Sequence, residues 1–244
     1  MLFFLWWAAA TFSGIESWRL PGPGVVLDRG IAILSRPNTW ARIGVTAGEA
    51  VLGSALGSAV ALPLGWLIYR FRLVRAAVEP FLGATQAIPS IALAPLLVLW
   101  TGYGTWSIAT LCALIVFFPI LVSTVLGLRH IDAEVLEAAE LDGASGLHMV
   151  FFMEAPLASP SILAGLRNGF TLSITGAIVG EMIMGGSGIG QSLEQTRTNV
   201  DTGGTFVFII ILCLMAMSVY VLIRAMEKRT RLYTSTTRTL RSSS

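Results

Sequence analysis

Between two long apolar runs the chain reads Glu137-Ala138-Ala139-Glu140-Leu141-Asp142-Gly143, then Ala144-Ser145-Gly146, and reaches Met153-Glu154-Ala155-Pro156 before apolar character returns. Asp132 can cap a helix that opens just upstream, and Glu134 falls in its first turn, where the helix dipole favours an acid. Leu136, Ala139 and Leu141 offer an apolar side, while Glu137 and Glu140 face elsewhere. Gly143 and Gly146 permit a sharp turn. A second short helical stretch, Leu147 to Met153, is expected to end before Pro156. Segment 129–160 therefore reads as a compact amphipathic helix-turn-helix presented to water. It could be a linker resting on lipid headgroups, but helices that do so are usually basic and this one is acidic at its centre. Docking into a protein groove is the stronger reading.

Outward from this insert the composition is that of a membrane protein. Hydrophobic residues make up 55% of the 244 and charged residues 12%; mean hydropathy is +0.76. Soluble domains are about a quarter charged. The net charge of +2 gives no argument for nucleic acid. Cys112 and Cys213 both lie in apolar runs, away from any metal-ligand spacing, and read as small buried hydrophobes. No metal site is expected.

Several apolar stretches reach the roughly 20 residues that cross a bilayer as a helix. The expectation is an all-α polytopic membrane protein of about six transmembrane helices. The spans run at about 2–15, 43–69, 76–100, 106–128, 161–184 and 205–226, all in one transmembrane domain over 1–244 with its core at 40–230. The first is short, and a signal peptide is its lesser reading, since it lacks a positive start and a small-x-small cleavage site. Arg70, Arg72 and Arg75, then Arg129 and His130, then Arg224, Lys228, Arg229 and Arg231 fall on one side of a six-span chain. That side is cytoplasmic, with both termini inside. Against this, the outer segment 16–42 carries Arg19, Arg29, Arg36 and Arg42; its Pro21-Gly22-Pro23-Gly24 run signals a loop, and the segment can lie on the membrane surface.

Gly53, Gly57, Ala61 and Gly65 recur every four residues, as do Gly165, Gly169, Ser173 and Ala177. Such stripes let helices approach closely in lipid, more often within one subunit than at a dimer seam. Pro80, Pro89 and Pro95 crowd the third span and predict a kink or break there; a break at mid-membrane can build a substrate path. Three acids fall within spans: Glu49, Glu79 and Glu181. Glu79 is placed to pair with Arg72 and Arg75. Glu49 and Glu181 lie toward the outer side and either line a vestibule or make structural hydrogen bonds, such as Glu49 with Arg42.

Gly185-Gly186-Ser187-Gly188-Ile189-Gly190 fails as a dinucleotide loop, because Gln191 stands where a last glycine belongs and no strand precedes it. A tight re-entrant turn at the outer surface suits it better. The single lysine, Lys228, is followed by Arg229, so no P-loop exists, and the two histidines, His130 and His148, complete no nucleophile set. No catalytic residue is expected.

The chain at this point resembles the integral-membrane permease subunits of binding-protein-dependent ABC importers. Their cytoplasmic signature is E-A-A, three residues, G, nine residues, I-x-L-P. Glu137-Ala138-Ala139, Gly143 and Pro156 match it, with Met153 and Ala155 replacing Ile and Leu. The resemblance implies a coupling helix in a cleft of a cytoplasmic ATPase, with Glu137, Ala138, Ala139, Asp142, Gly143 and Pro156 making or shaping the contact. It also implies that the chain is not an enzyme and binds no cofactor, ATP and magnesium being held by separate ATPase subunits. The implied partners are those ATPases, an extracytoplasmic substrate-binding protein, a second permease copy in a homodimer, and the lipid of a bacterial inner membrane.

Ala87-Ile88-Pro89-Ser90-Ile91-Ala92-Leu93-Ala94-Pro95-Leu96, Leu99-Trp100-Thr101-Gly102, Phe117-Phe118-Pro119-Ile120 and Gly188-Ile189-Gly190 are similar to nitrate/sulfonate/taurine-type permeases. Glu49 with Gln86, and Val179-Gly180-Glu181, look more like members importing thiamine pyrimidine precursors or riboflavin. The expected cargo is such a heterocycle, or else a sulfonate-, nitrate- or taurine-like anion, along a path touching Glu49, Gln86, Ser90 and Glu181. An acidic vestibule suits a neutral or cationic heterocycle better. A proton-coupled secondary transporter using Glu49 or Glu181 is the alternative, and a non-transporting scaffold a third.

Overall fold

In a computed structural model, residues 2–12, 14, 16, 19–85 and 89–241 are described, with side chains described within 4–78 and 89–225 of these. Helices are the sole regular elements among them: α1 (Leu2–Phe12), α2 (Pro23–Leu34), α3 (Pro37–Arg70), α4 (Arg72–Thr85), a 3-10 turn (Ser90–Leu93) leading into α5 (Ala94–Thr101), α6 (Thr105–Arg129), α7 (Ala133–Leu141), α8 (Gly146–Met149), a π turn (Val150–Glu154), α9 (Ala155–Met184), α10 (Ile189–Thr198) and α11 (Thr202–Arg241). Four stretches are long and apolar enough to cross a membrane: Pro37–Arg70, Thr105–Arg129, Gly146–Met184 and Thr202–Ala225. These correspond to the second, fourth, fifth and sixth expected spans. The 11 residues of α1 cover about 16 Å, half a hydrocarbon core.

The third expected span is broken. Pro80 is accommodated within α4, whereas Pro89 caps the 3-10 turn and Pro95 sits in the first turn of α5, where its missing N–H costs nothing.

α6 is the central helix, with α3 packed on one side and α9 on the other. Both small-residue stripes face it. A Cβ on Gly57 would lie 2.8 Å from the Ala113 carbonyl oxygen, and one on Gly65 the same distance from Thr124 Cγ2. From the other side, Gly165 meets Ser123 and Gly169 meets Val116. Backbone approach this close fills the space with dispersion contacts that side chains would block. Around the crossing, Ala50, Leu111, Cys112, Ile174 and Ala177 form one buried cluster, and Ala61, Ile68, Val116, Ile120 and Leu121 another. The stripes are therefore packing within the subunit. Cys112 is buried as expected, but Cys213 is exposed, because α11 is covered on one face only and turns this position outward.

Ahead of α3, Gly22 caps α2 and Pro23 opens it, so the expected loop signal marks a helix start. Thr39 Oγ1 and Trp40 Nε1 donate to the Ile33 and Leu34 carbonyls at 2.7 and 2.9 Å, satisfying the free end of α2 as the chain turns into α3. Val26 and Ile33 pack on Val207, Phe208 and Ile211 of α11. Asp201 caps α11 through Gly204 N (2.9 Å) and accepts from Arg29 Nε and Nη2 at 3.0 and 2.5 Å. Burial would raise its carboxyl, but the Arg29 and Gly204 bonds outweigh it and hold Asp201 below the usual carboxylate range. A depressed carboxylate contributes stability that is complete above the unfolded value of about 3.9 and lost as pH falls through the lower folded value. The protection of α2 amides, measured against the intrinsic exchange rate at each pH, is therefore expected to fall below about pH 4, and Asp201→Asn to remove that acid dependence.

Candidate functional site

The polar insert folds as a closed corner. Asp132 accepts from Glu134 N at 3.1 Å, the expected cap. α7 ends with Gly143 at φ 91°, the Gly143 N–H donating to the Glu140 carbonyl at 3.0 Å and the Ala144 N–H to that of Ala139 at 2.9 Å. This is a Schellman closure, which needs a residue tolerant of positive φ at that place. Ala139 is buried and Leu136 half-buried against the body of the protein, while Glu137, Ala138, Glu140 and Asp142 are exposed. Leu141 departs from expectation: it is 90% exposed. Helical geometry explains this, because at about 100° per residue Leu141 points some 160–200° away from Ala139.

A second departure lies at Pro156. The chain does not end a helix there; it runs from Gly146 through the π turn into α9 without interruption. Pro156 sits in the first turn of α9, immediately after the π turn, whose wider ring relaxes the ladder where a proline would collide with it. Glu154, in that turn, is buried and accepts from Trp66 Nε1 of α3 at 2.8 Å. Between α3 and the insert lies a cleft of about 510 Å³ bordered by Tyr69, Arg70, Leu136 and Glu140. Arg75 donates to the Tyr69 carbonyl (2.8 Å) and that of Ile68 (3.3 Å), closing the end of α3; the side chain of its expected partner Glu79 lies outside the described residues. Leu141, 90% exposed, stands beside the exposed acids Glu137, Glu140 and Asp142, whereas Leu147 and Phe151 border an apolar cavity of about 620 Å³ with Leu62, Pro63 and Trp66 of α3.

The second constellation is buried. Glu49 of α3 and Glu181 of α9 are 2% and 1% exposed. They meet carboxyl to carboxyl, with Thr105 beside Glu49. Glu181 accepts from Thr46 Oγ1 at 2.6 Å and from Gly190 N at 2.5 Å, and Thr46 Oγ1 accepts from Ile189 N at 2.9 Å. Glu181 and Thr46 together thus clamp the Gly188-Ile189-Gly190 turn onto α3. A Cβ on Gly188 would collide with both side chains, so glycine is required at this close approach. Arg42 binds Ser192 Oγ at 2.8 Å rather than Glu49. Both acids are enclosed in this conformation.

Ser90 is half-buried at the start of the 3-10 turn, which packs on α6 and α9. Gln86 lies outside the described residues. The sequence reading passed over Arg167 of α9, whose guanidinium lies 5.1 Å from the centre of the Tyr220 ring of α11; a basic residue six positions into the fifth expected span was the available signal.

Residues 42–232 match the model for the binding-protein-dependent transport system inner membrane component. The chain belongs to this family. As a permease it is 38% identical over 228 residues to the riboflavin transport system permease protein of Chloroflexus aurantiacus, covering 93% of this chain and 85% of that one. It is 34% identical over 227 residues to the formylaminopyrimidine transport permease protein of Halalkalibacterium halodurans, covering 93% and 90%. The permease fold also matches a solved inward-facing methionine ABC transporter, MetNI, with a TM-score of 0.63 at 18% identity over 77% of this chain and 95% of that one. It is the membrane-spanning permease subunit of an ABC importer.

Proposed function

We propose that this permease forms the path for a small heterocycle of flavin or aminopyrimidine type and that separate cytoplasmic ATPases drive it by docking on segment 129–160. The exposed face of α7 carries the ATPase reading, because it presents the acids Glu137 and Glu140 together with the apolar Leu141. Glu137, Ala138 and Asp142 offer contacts, Ala139 seats the helix on the body, Gly143 makes the turn, and Pro156 lies where the π turn hands the motion to α9. Two copies enclose the path in a bacterial inner membrane, and a soluble receptor delivers cargo from outside. ATP binding and hydrolysis shift the population between inward- and outward-open packings. The cargo class is supported by the two heterocycle permeases at 38% and 34% identity.

Charge reversal at Glu137 is expected to be the informative variant. Like-charge or mismatched contacts at a docking surface cost several kcal/mol, so Glu137→Lys and Gly143→Asp should lower ATP-driven uptake by about 100-fold or release the ATPase during purification. The permease itself should still extract as a folded protein. Uptake of riboflavin, an aminopyrimidine and taurine into proteoliposomes holding receptor, permease and ATPase tests the cargo. Coupled transport at the normal rate in both variants would remove the docking role.

A further inference from the structure

Helix α9 carries a polar stripe that none of its packing uses. Ala164, Asn168, Thr171 and Thr175 fall within about 60° of arc at 100° per residue. The stripe lies in the middle of α9 and turns away from Gly165, Gly169 and Ser173, which meet α6 and α3. Asn168 and Thr175 are exposed and Thr171 half-buried. Thr171 Oγ1 donates back to the Arg167 carbonyl at 2.8 Å, and no described residue hydrogen-bonds the Asn168 amide or the Thr175 hydroxyl. At mid-membrane depth lipid cannot satisfy these groups, and each unmet polar group costs free energy. The 3-10 turn at Ser90–Leu93 also packs on α9 and α6. Irregular backbone at membrane depth is tolerated where protein or a water-filled cavity covers it. Water along the stripe would meet the cost that lipid there imposes.

We infer that Asn168, Thr171 and Thr175 form the hydrogen-bonding wall of the translocation path and contact the substrate there. The stripe itself carries amide and hydroxyl groups and no charge, while the neighbouring Arg167 is turned to Tyr220. A carboxamide offers a donor and an acceptor side by side, which pairs with the amide-like edge of a flavin or an aminopyrimidine and has no preference for a free anion. This ligand class rests on the cargo proposed above; the placement of the stripe does not.

Single cysteines at positions 168, 171 and 175 test the placement, with the exposed Cys213 changed to serine and the buried Cys112 kept. In membranes holding the assembled importer, Asn168→Cys and Thr175→Cys should react with a charged methanethiosulfonate reagent at a rate within about tenfold of Asn199→Cys in the exposed turn between α10 and α11. Leu222→Cys, on an exposed apolar face of α11, should react far more slowly. If positions 168 and 175 are as inert as 222, whether covered by lipid or by a second copy, the wall is refuted. Riboflavin or an aminopyrimidine should slow the labelling, and Asn168→Leu should raise the uptake KM for the transported probe about tenfold, the worth of one good hydrogen bond. Labelling with no protection by either probe and an unchanged KM overturns substrate contact. A wild-type importer that labels at the stripe yet takes up neither probe refutes the cargo class and leaves the wall standing.

Discussion

Leucine in place of Gly57 is expected to leave no recoverable folded permease. A Cβ there would sit 2.8 Å from the Ala113 carbonyl oxygen and 3.3 Å from its Cα, both backbone atoms of α6 that no rotamer change can move. Relief requires α3 and α6 to separate, which opens the buried cluster around Ala61, Val116 and Leu121. Overpacking a core costs typically 1–3 kcal/mol even when side chains can adjust; here the helix pair itself must part, so about 4 kcal/mol or more is expected. The control lies two turns away on the same helix. Gly48 has open space around its absent Cβ, so Gly48→Leu should preserve yield and melting temperature. Monodisperse recovery in mild detergent reads out both. Equal recovery of the two variants would mean that the α3–α6 contact is not what holds the fold.

Glu181→Leu is expected to be the next most damaging change. It removes the acceptor for Gly190 N and the neighbouring Gln191 N, leaving two backbone donors unmet at about 1–3 kcal/mol each, while Thr46 Oγ1 keeps the Arg42 carbonyl at 3.2 Å. At roughly 2–4 °C per kcal/mol for a chain of this size, the melting temperature should fall by about 10 °C. Glu181→Gln retains one oxygen acceptor and should lose about half as much. Transport should follow stability in both, because the clamp holds the outer turn. Lost transport in a Gln variant of unchanged stability would instead assign Glu181 a direct role in the path, and full transport with intact assembly would dismiss that role.

The parts of the fold legible in the sequence were those governed by near neighbours along the chain. Gly53, Gly57 and Gly65 announce a close helix crossing because only glycine permits one, and periodicity of four fixes the face. Asp132 and Gly143 announce the ends of α7 for similar reasons, a cap and a positive φ. What escaped was decided across long separations. The passage of the helix through Pro156 goes with the π turn, in which Glu154 accepts from Trp66, 88 positions away. The meeting of Glu49 with Glu181 needs α3 and α9 brought together, so their burial as a clamp had no local sign. Leu141 was grouped with Leu136 by residue type, while the helical period sends it to the opposite side. The polar stripe on α9 was hidden because its members are scattered among small and apolar residues and show only when the packed face is known.

The unbroken run from Gly146 to Met184 has a mechanical consequence. From Gly146 to Thr175 is 29 steps of helix, or about 43 Å, with no slack loop between. A push applied at the membrane's inner edge therefore acts as on a stiff rod: tilting it by about 10° swings the far point by roughly 7 Å, on the scale of a small molecule's width. The compliant points along this rod lie together at its base: Pro160 within α9 and, just before it, the π turn, pinned by Trp66 to the neighbouring α3. Where that pin holds, force enters the bilayer undiminished; where it slips, the rod bends at its base and the stroke is spent in the cytoplasm.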